Sequence, residues 1–385
     1  MHRPEGPSLY PSDPIGERVR LLRVARGVSQ VELAQRLEMA GNGQVSKLEN
    51  GRTSVDERIL VQLAAALDCT PEFFLRPRRD LIATRPWLRA YADAPAKTVE
   101  SIAADNTVHR EVVTELELKR MPDRIPAFDA DPNDDHAIEL FAQEVRAAAD
   151  LDEDAVVRNA MRAVERLGCV VLPLDDEVGR HLGVSQYVDQ VPYIRASRAR
   201  ASVPGDRQRF TVLHELGHLA LHATQPPPET ADDARRIEAQ AHRFAGAFLT
   251  PRDALLEDLH AQNNGRVTLT TLQRLKSNWG VAIKMLVVRL RQLGEVSDDQ
   301  ATSLYKQISK RGWNTGEPVE VPNESAIWFS RALESRWGTD DVMVSRAGLS
   351  SADLRRWTSW LPRLEDDEAS NVVSLAARRA SRAAP

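Results

Sequence analysis

The sequence predicts a mainly α chain in which one middle stretch mixes helix with strand. Three observations carry that expectation. Apolar residues recur at helical spacing through most of the chain, from Val19, Leu22 and Ala25 to Leu286 and Leu290. Helix-start signatures, Ser29-Gln30-Val31-Glu32 and Ser54-Val55-Asp56-Glu57, stand before apolar runs. Short β-branched runs, CVVLPL (169–174) and YVDQVPYIRAS (187–197), read as strands. In the second of these, Pro192 lacks an N–H and points to an edge strand. At 385 residues, two or three domains are expected.

Residues 1–12 are rich in Pro and Gly and read as loose. The first module, 1–77, reads as four or five short helices. Helix one covers about 15–26. Helix two opens at the Ser29–Glu32 capping box and buries Leu33, Ala34 and Leu37. A turn, MAGNG, leads to QVSKLEN, closed by Gly51. The next helix starts at the Ser54–Glu57 box and turns Ile59, Leu60, Leu63, Ala64 and Leu67 inward. SQVELAQRL, QVSKLENG and LVQLAAALDCTPEFFL together resemble the phage-repressor (XRE) helix-turn-helix family. That resemblance implies DNA binding. Gln30 would touch backbone and edge groups, Asn42, Gln44 and Lys47 would face the major groove, and Arg52 would reach a phosphate. Amides and cations suit those targets. A module used only for docking is the plainer reading. The module holds ten Lys/Arg and ten Asp/Glu. Such neutrality implies weak single-site affinity, so a homodimer on a two-half-site, double-stranded DNA operator is expected.

Residues 78–135 read as a linker with helical segments, ending in the acidic, Pro-broken AFDADPNDD (127–135). Two amphipathic helices are expected between 136 and 167, then the strands. Long helices follow at about 207–222, 232–249, 268–277 and 281–293.

The strongest chemistry lies in RQRFTVLHELGHLALH (207–222). On a helix, His214 and His218 sit about 40° and 6 Å apart on one face, so both imidazoles can reach one metal. Glu215 stands beside them, positioned to take a proton from water. This is the H-E-x-x-H pattern of metallopeptidases. The alternative, a helix with incidental histidines, would bury polar groups at a cost. His222 lies two turns from His214 and is expected to support the site without binding the same ion. A catalytic zinc takes a third protein ligand. Glu229, Asp232, Asp233 and Glu238 are candidates. Glu238 shares a stripe with Ala241, Ala245, Phe248 and Leu249, whereas the others fall in a loop or at a helix start. Glu238 is therefore chosen.

RFTVLHELGHLALH followed by EAQAHRFAGAFLTP resembles the ImmA/IrrE metallopeptidase family, over roughly 136–295. In that family the Glu of E-x-x-A-x-x-F-A is the third zinc ligand, which falls on Glu238. The resemblance implies a zincin-like α+β domain that cleaves XRE-type repressor proteins, and fusion to an XRE domain is a known arrangement. His242 departs from the pattern, where Asn is frequent.

RVTLTTLQRLKSNWGVAIKMLVVRLRQLG (266–294) contains six Lys/Arg and no acid. It looks like another helix-turn-helix. The reading preferred here is a packing module around Trp279, Val281, Ile283, Leu286 and Leu290, with its cations reaching solvent. Residues 296–385 read as a helical C-terminal region, with a basic disordered tail at 374–385.

The net charge of −5 excludes a general polycation. Two cysteines, Cys69 and Cys169, suit a reducing compartment better than a disulfide scaffold. No run approaches a membrane span and no secretory h-region opens the chain, so a cytoplasmic protein without membrane partners is expected. The whole reads as a DNA-binding transcriptional regulator with a Zn2+-dependent endopeptidase domain acting on a repressor-like protein substrate. Glu215 is the catalytic residue and His214, His218 and Glu238 are the metal ligands. The rival is a regulator whose peptidase-like domain is a non-catalytic sensor or partner-binding module, antitoxin-like in one form.

Overall fold

The computed structural model describes residues 14–77, 79–84, 86–87, 96–174, 183–198, 203–226, 228–338 and 345–360. The N-terminal dozen residues and the basic tail lie outside them. Helices dominate, with one three-stranded sheet among the described residues. None of these helices is long and apolar enough to cross a membrane.

Five short helices open the chain: α1 (Pro14–Ala25), α2 (Gln30–Arg36), α3 (Asn42–Glu49), α4 (Glu57–Ala66) and α5 (Pro71–Leu75). Local chemistry sets their starts. The Ser29 hydroxyl accepts from Glu32 N (3.1 Å), and Ser29 N donates to Glu32 Oε2 (2.6 Å), closing the expected capping box. At α4 the cap is Asp56, which accepts from Ile59 N (2.8 Å), two residues beyond the Ser54 expected from sequence. Helix α3 begins at Asn42, so the last two of the five residues of the anticipated turn are helical. Gly51 ends it with φ 66°, a conformation that only glycine adopts without cost.

Residues expected to link contain a long packed helix, α6 (Ala96–Glu115), which buries Ile102, Val108 and Val112. It lies against α1, with Arg18 paired to Glu111 (3.1 Å). Next come α7 (Asp135–Ala148), α8 (Ala160–Arg166), β1 (Val170–Leu174), β2 (Gly183–Val188) and β3 (Val191–Ser197). The sheet order is β1-β3-β2, with β1 parallel and β2 antiparallel to β3. Asp189 and Gln190 join β2 to β3 with φ 51° and 59°, as a tight two-residue hairpin requires. Pro192 therefore stands in the central strand, not at an edge. It pairs with Tyr187, next to the hairpin, one residue before pairing with β1 begins at Tyr193, so no ladder hydrogen bond to β1 is lost there.

Both faces of the sheet are covered. Val171, Ile194 and Ala196 join a core with α9 (Gly205–His222), α10 (Ala231–Leu249) and the following helices. Val170, Leu172 and Tyr193 face the other way, into one cluster with the helix-turn-helix core, α6 and the C-terminal helices. The period of two along each strand produces that division. The first module is thus continuous with the back of the sheet.

Helices α11 (Arg252–Asn263), α12 (Leu269–Trp279), α13 (Ile283–Gln292) and α14 (Asp298–Lys310) complete the main core. In the acid-free segment Trp279, Val281, Ile283, Leu286 and Leu290 are buried as expected. Its cations do not all reach solvent. Lys276 is buried in a pair with Asp206 and with Glu317 (2.9 Å), and Arg289 is buried on Glu139 (2.7 Å). A buried charge needs a partner, and here distant acids supply it. Helices α15 (Trp328–Trp337) and α16 (Ser351–Thr358) return to the N-terminal side. There Arg26 pairs with Asp353 (2.7 Å) and Trp357 Nε1 donates to Asp105 (3.0 Å). Cys69 and Cys169 are both free thiols.

Candidate metal centre and DNA-reading face

Helix α9 carries His214, Glu215, His218 and His222, each at most 2% exposed. Helix α10 crosses it closely. A Cβ on Gly217 would meet Ala241 Cα and O at 3.2 Å, so a side chain there would push α10 away. That approach brings Glu238, half-buried, over the two histidines. His214 Nε2 lies 3.1 Å from His218 Nε2 and 3.3 Å from Glu238 Oε2, and His218 Nε2 lies 3.5 Å from Glu238 Oε1. Edges of a tetrahedron around zinc, with bonds of about 2.0–2.1 Å, are about 3.3 Å. The donor set of two imidazoles and a carboxylate, at these separations, fits a metal ion.

Electrostatics keep the set ready to ligate. Burial pulls the pKa values of His214 and His222 down to about 3, so both are neutral near pH 7. Burial alone would raise Glu238. The His214 and His218 rings beside it outweigh burial and hold the carboxyl well below the usual range.

A hydrogen-bond chain settles which nitrogen of His218 carries the proton. The Asp131 carboxylate can only accept, and takes Asn133 Nδ2–H (2.9 Å). Asn133 Oδ1 then accepts from Gln240 Nε2 (3.2 Å), which turns Gln240 Oε1 toward His222 Nε2 (3.0 Å). His222 must donate there, so its Nδ1 accepts from His218 Nδ1–H (3.1 Å). The lone pair of His218 is thereby left on Nε2, facing His214 and Glu238. Such outer partners fix the tautomer of ligating histidines. His222 thus acts behind His218, as its spacing implied. Asn133 and Gln240 were invisible to motif reasoning. The only sign of them was that the acidic 127–135 stretch ends in Asn-Asp-Asp, a cap-like cluster.

Glu215 projects toward β2. Ser185 Oγ donates to its Oε2 (2.8 Å), and a Cβ on Gly183 would meet Glu215 Cγ at 2.7 Å, so glycine makes room for the carboxylate. The His242 ring stands 4.6 Å from that of His214. Trp87, from the segment before α6, stacks on His218 with centroids 5.7 Å apart and planes within 1°.

On the N-terminal module, Asn42, Gln44, Lys47 and Arg52 are exposed along and just after α3. Val45 and Leu48 anchor the other side of that helix. Gln30 differs, because its Nε2 donates to Glu49 Oε2 (2.7 Å), and Glu49 is itself paired with Arg23 (2.5 Å). Gln30 therefore ties the start of α2 to the end of α3.

The comparisons with known proteins agree with both regions. A family model described as a helix-turn-helix domain matches residues 14–73, and one described as an IrrE N-terminal-like domain matches residues 164–291. The second match takes in α9 and α10 with all three donor residues. No curated protein matches the chain. The chain joins an N-terminal XRE-like helix-turn-helix domain to a domain of the ImmA/IrrE metallopeptidase type.

Proposed function

We propose that this chain is a DNA-binding regulator whose second domain is a zinc-dependent endopeptidase acting on a repressor-type protein. Residues 1–77 bind an operator, 136–295 form the peptidase and 296–385 are a helical C-terminal region with a basic tail. His214, His218 and Glu238 hold the zinc. The observation that carries the reading is the convergence of these three donors beside Glu215, whose carboxylate Ser185 and Gly183 hold in place.

Bound zinc would supply Lewis acidity, easing deprotonation of water and polarising the scissile carbonyl. Glu215 takes the proton of the attacking water and delivers it to the leaving amine, as a buried carboxylate beside the reacting atoms can. Ser185 keeps that carboxylate aimed. The relay from Asp131 to His222 keeps His218 in its ligating tautomer. At the other end Asn42, Gln44 and Lys47 read bases, Arg52 meets a phosphate, and Gln30 positions the reading helix. The module has no net charge, which supports a homodimer on two half-sites.

Two variants test this. Glu215→Gln keeps size and hydrogen bonding but cannot take the proton. It should retain zinc and operator binding and lose about 10²–10⁴-fold in cleavage of the co-expressed repressor substrate. His214→Ala should lose the zinc. Unchanged gene regulation in Glu215→Gln together with collapse of the domain in His214→Ala would reject the peptidase and leave a structural or signal-sensing metal site.

A further inference from the structure

Ile82–Thr84 and Trp87 pair antiparallel with β2, which is the outer strand of the sheet. Thr84 N donates to Tyr187 O (2.9 Å), Asp189 N to Ile82 O (2.6 Å) and Trp87 N to Ser185 O (2.7 Å), while Ser185 N donates back to Trp87 O (3.3 Å). Gln186 Nε2 adds a bond to Thr84 O (2.8 Å). This is the strand whose Ser185 holds Glu215. At the end of the segment, Trp87 covers His218 and tilts over His222, with centroids 5.8 Å apart.

A peptide that is cut must lie extended, with one carbonyl between Glu215 and the His/Glu cluster. An extended chain satisfies its backbone by pairing with a sheet edge. Among the described residues, β2 is the edge beside the cluster, and the chain's own segment fills it. The fit is also weak. Ala83 and Trp87 are four positions apart in sequence, but their partners Val188 and Ser185 are three apart, so the two bridges are out of register by one residue. Ile82, Ala83 and Thr84 are exposed, and only Pro86 and Trp87 of the described residues in the segment are buried. Segments with few buried apolar contacts open most readily.

We infer that residues 82–87 are a resident competitor for the peptide register on β2. The site is latent while they are paired, and the chain that replaces them lies antiparallel to β2 with a large aromatic or apolar side chain where Trp87 stands. This rests on the peptidase reading. It also joins the two functions covalently, because residues 76–81 connect the segment to α5 of the DNA-binding module.

The probe is a fluorescein-labelled peptide of residues 81–87. Its binding is measured by anisotropy to full-length Glu215→Gln protein, alone and with Thr84→Pro or Trp87→Ala added. Thr84→Pro removes a backbone donor, whereas Trp87→Ala keeps every backbone bond. Operator binding checks the fold of each. We expect the peptide to bind each added variant about tenfold more tightly than the parent. With Glu215 intact, cleavage of carboxymethylated casein should rise by a similar factor. Equal peptide binding in the parent and both variants would overturn the inference. Tighter peptide binding with no cleavage by any form would leave the occupied edge standing and count against the peptidase reading instead.

Discussion

Asn42, Gln44, Lys47 and Arg52 stand in solvent on or just after a helix of eight residues, whereas His214, Glu215, His218 and His222 are all but sealed inside a helix of eighteen. The first group is already hydrated, so it is held by little more than the apolar anchors Val45 and Leu48 beneath and one bond from Ala40 N to Gln44 Oε1 (3.2 Å). The second group has given up its water. Each member must then be satisfied by a neighbour, and the neighbours come from α6's approach, α10, β2 and the loop before α7. The exposed group can be changed with little effect on the fold. The buried group is coupled, so one change propagates.

The largest effect that would sharpen this contrast is on DNA. Gln44→Ala combined with Lys47→Ala should weaken operator binding by on the order of 10²-fold, since base contacts contribute about 1–3 kcal/mol each. Metal content and thermal midpoint should not move. A mobility-shift titration at fixed salt, run beside thermal unfolding, checks both, and a drop in midpoint would break the contrast.

A smaller effect is expected behind the candidate metal ligands. His222→Phe removes the acceptor of His218 Nδ1–H and should lower zinc affinity by about 10–100-fold in chelator competition. Gln240→Glu keeps an acceptor for His222 and should bind zinc nearly as the parent does. If His222→Phe holds zinc as tightly as the parent, the relay does not set the tautomer.

The smallest effect concerns a buried histidine far from the candidate metal centre. His109 is fully buried, with Nδ1 3.0 Å from the Tyr193 hydroxyl, and burial holds its pKa well below 6.5. The unfolded chain takes this proton near pH 6.5 while the folded one does not. Stability from neutral His109 is therefore present above 6.5 and lost as pH falls below it. Its share should be roughly 1.4 kcal/mol per pH unit below about pH 6. His109→Gln should show a shallower fall between pH 6.5 and 5 in denaturant titrations, and an identical slope would assign the acid sensitivity to other groups.

Helical periodicity made most of the architecture readable. Helices α9, α10, α12 and α13 lie within a few residues of where apolar spacing places them, because local turns and caps decide helix limits. The pairing of His214 with His218 follows from helix geometry, and the stripe argument singles out Glu238, which the structure brings against both. Ser185, Gln240, Asn133 and Trp87 were not readable. Their partners lie tens of residues away, and no spacing rule links β2 to α9 or residue 133 to residue 240. Lys276 and Arg289 misled for the same reason: a cation looks solvent-bound until the acid that meets it is known. Pro192 misled because strand order is not local information.

What the sequence alone determined is whatever one helix or one capping turn encodes: the H-E-x-x-H face of α9, the stripe of α10, the Ser29–Glu32 box and the exposed polar residues of α3. The tertiary structure decided which elements meet. It set Gly217 against Ala241, so that Glu238 reaches the histidines. It also turned β2 toward Glu215, laid Ile82–Thr84 and Trp87 along that strand, and merged the helix-turn-helix core with the back of the sheet. The physical reason is range. Backbone hydrogen bonds and capping act over three or four residues, whereas burial and the satisfaction of buried polar groups depend on chain segments far apart in sequence.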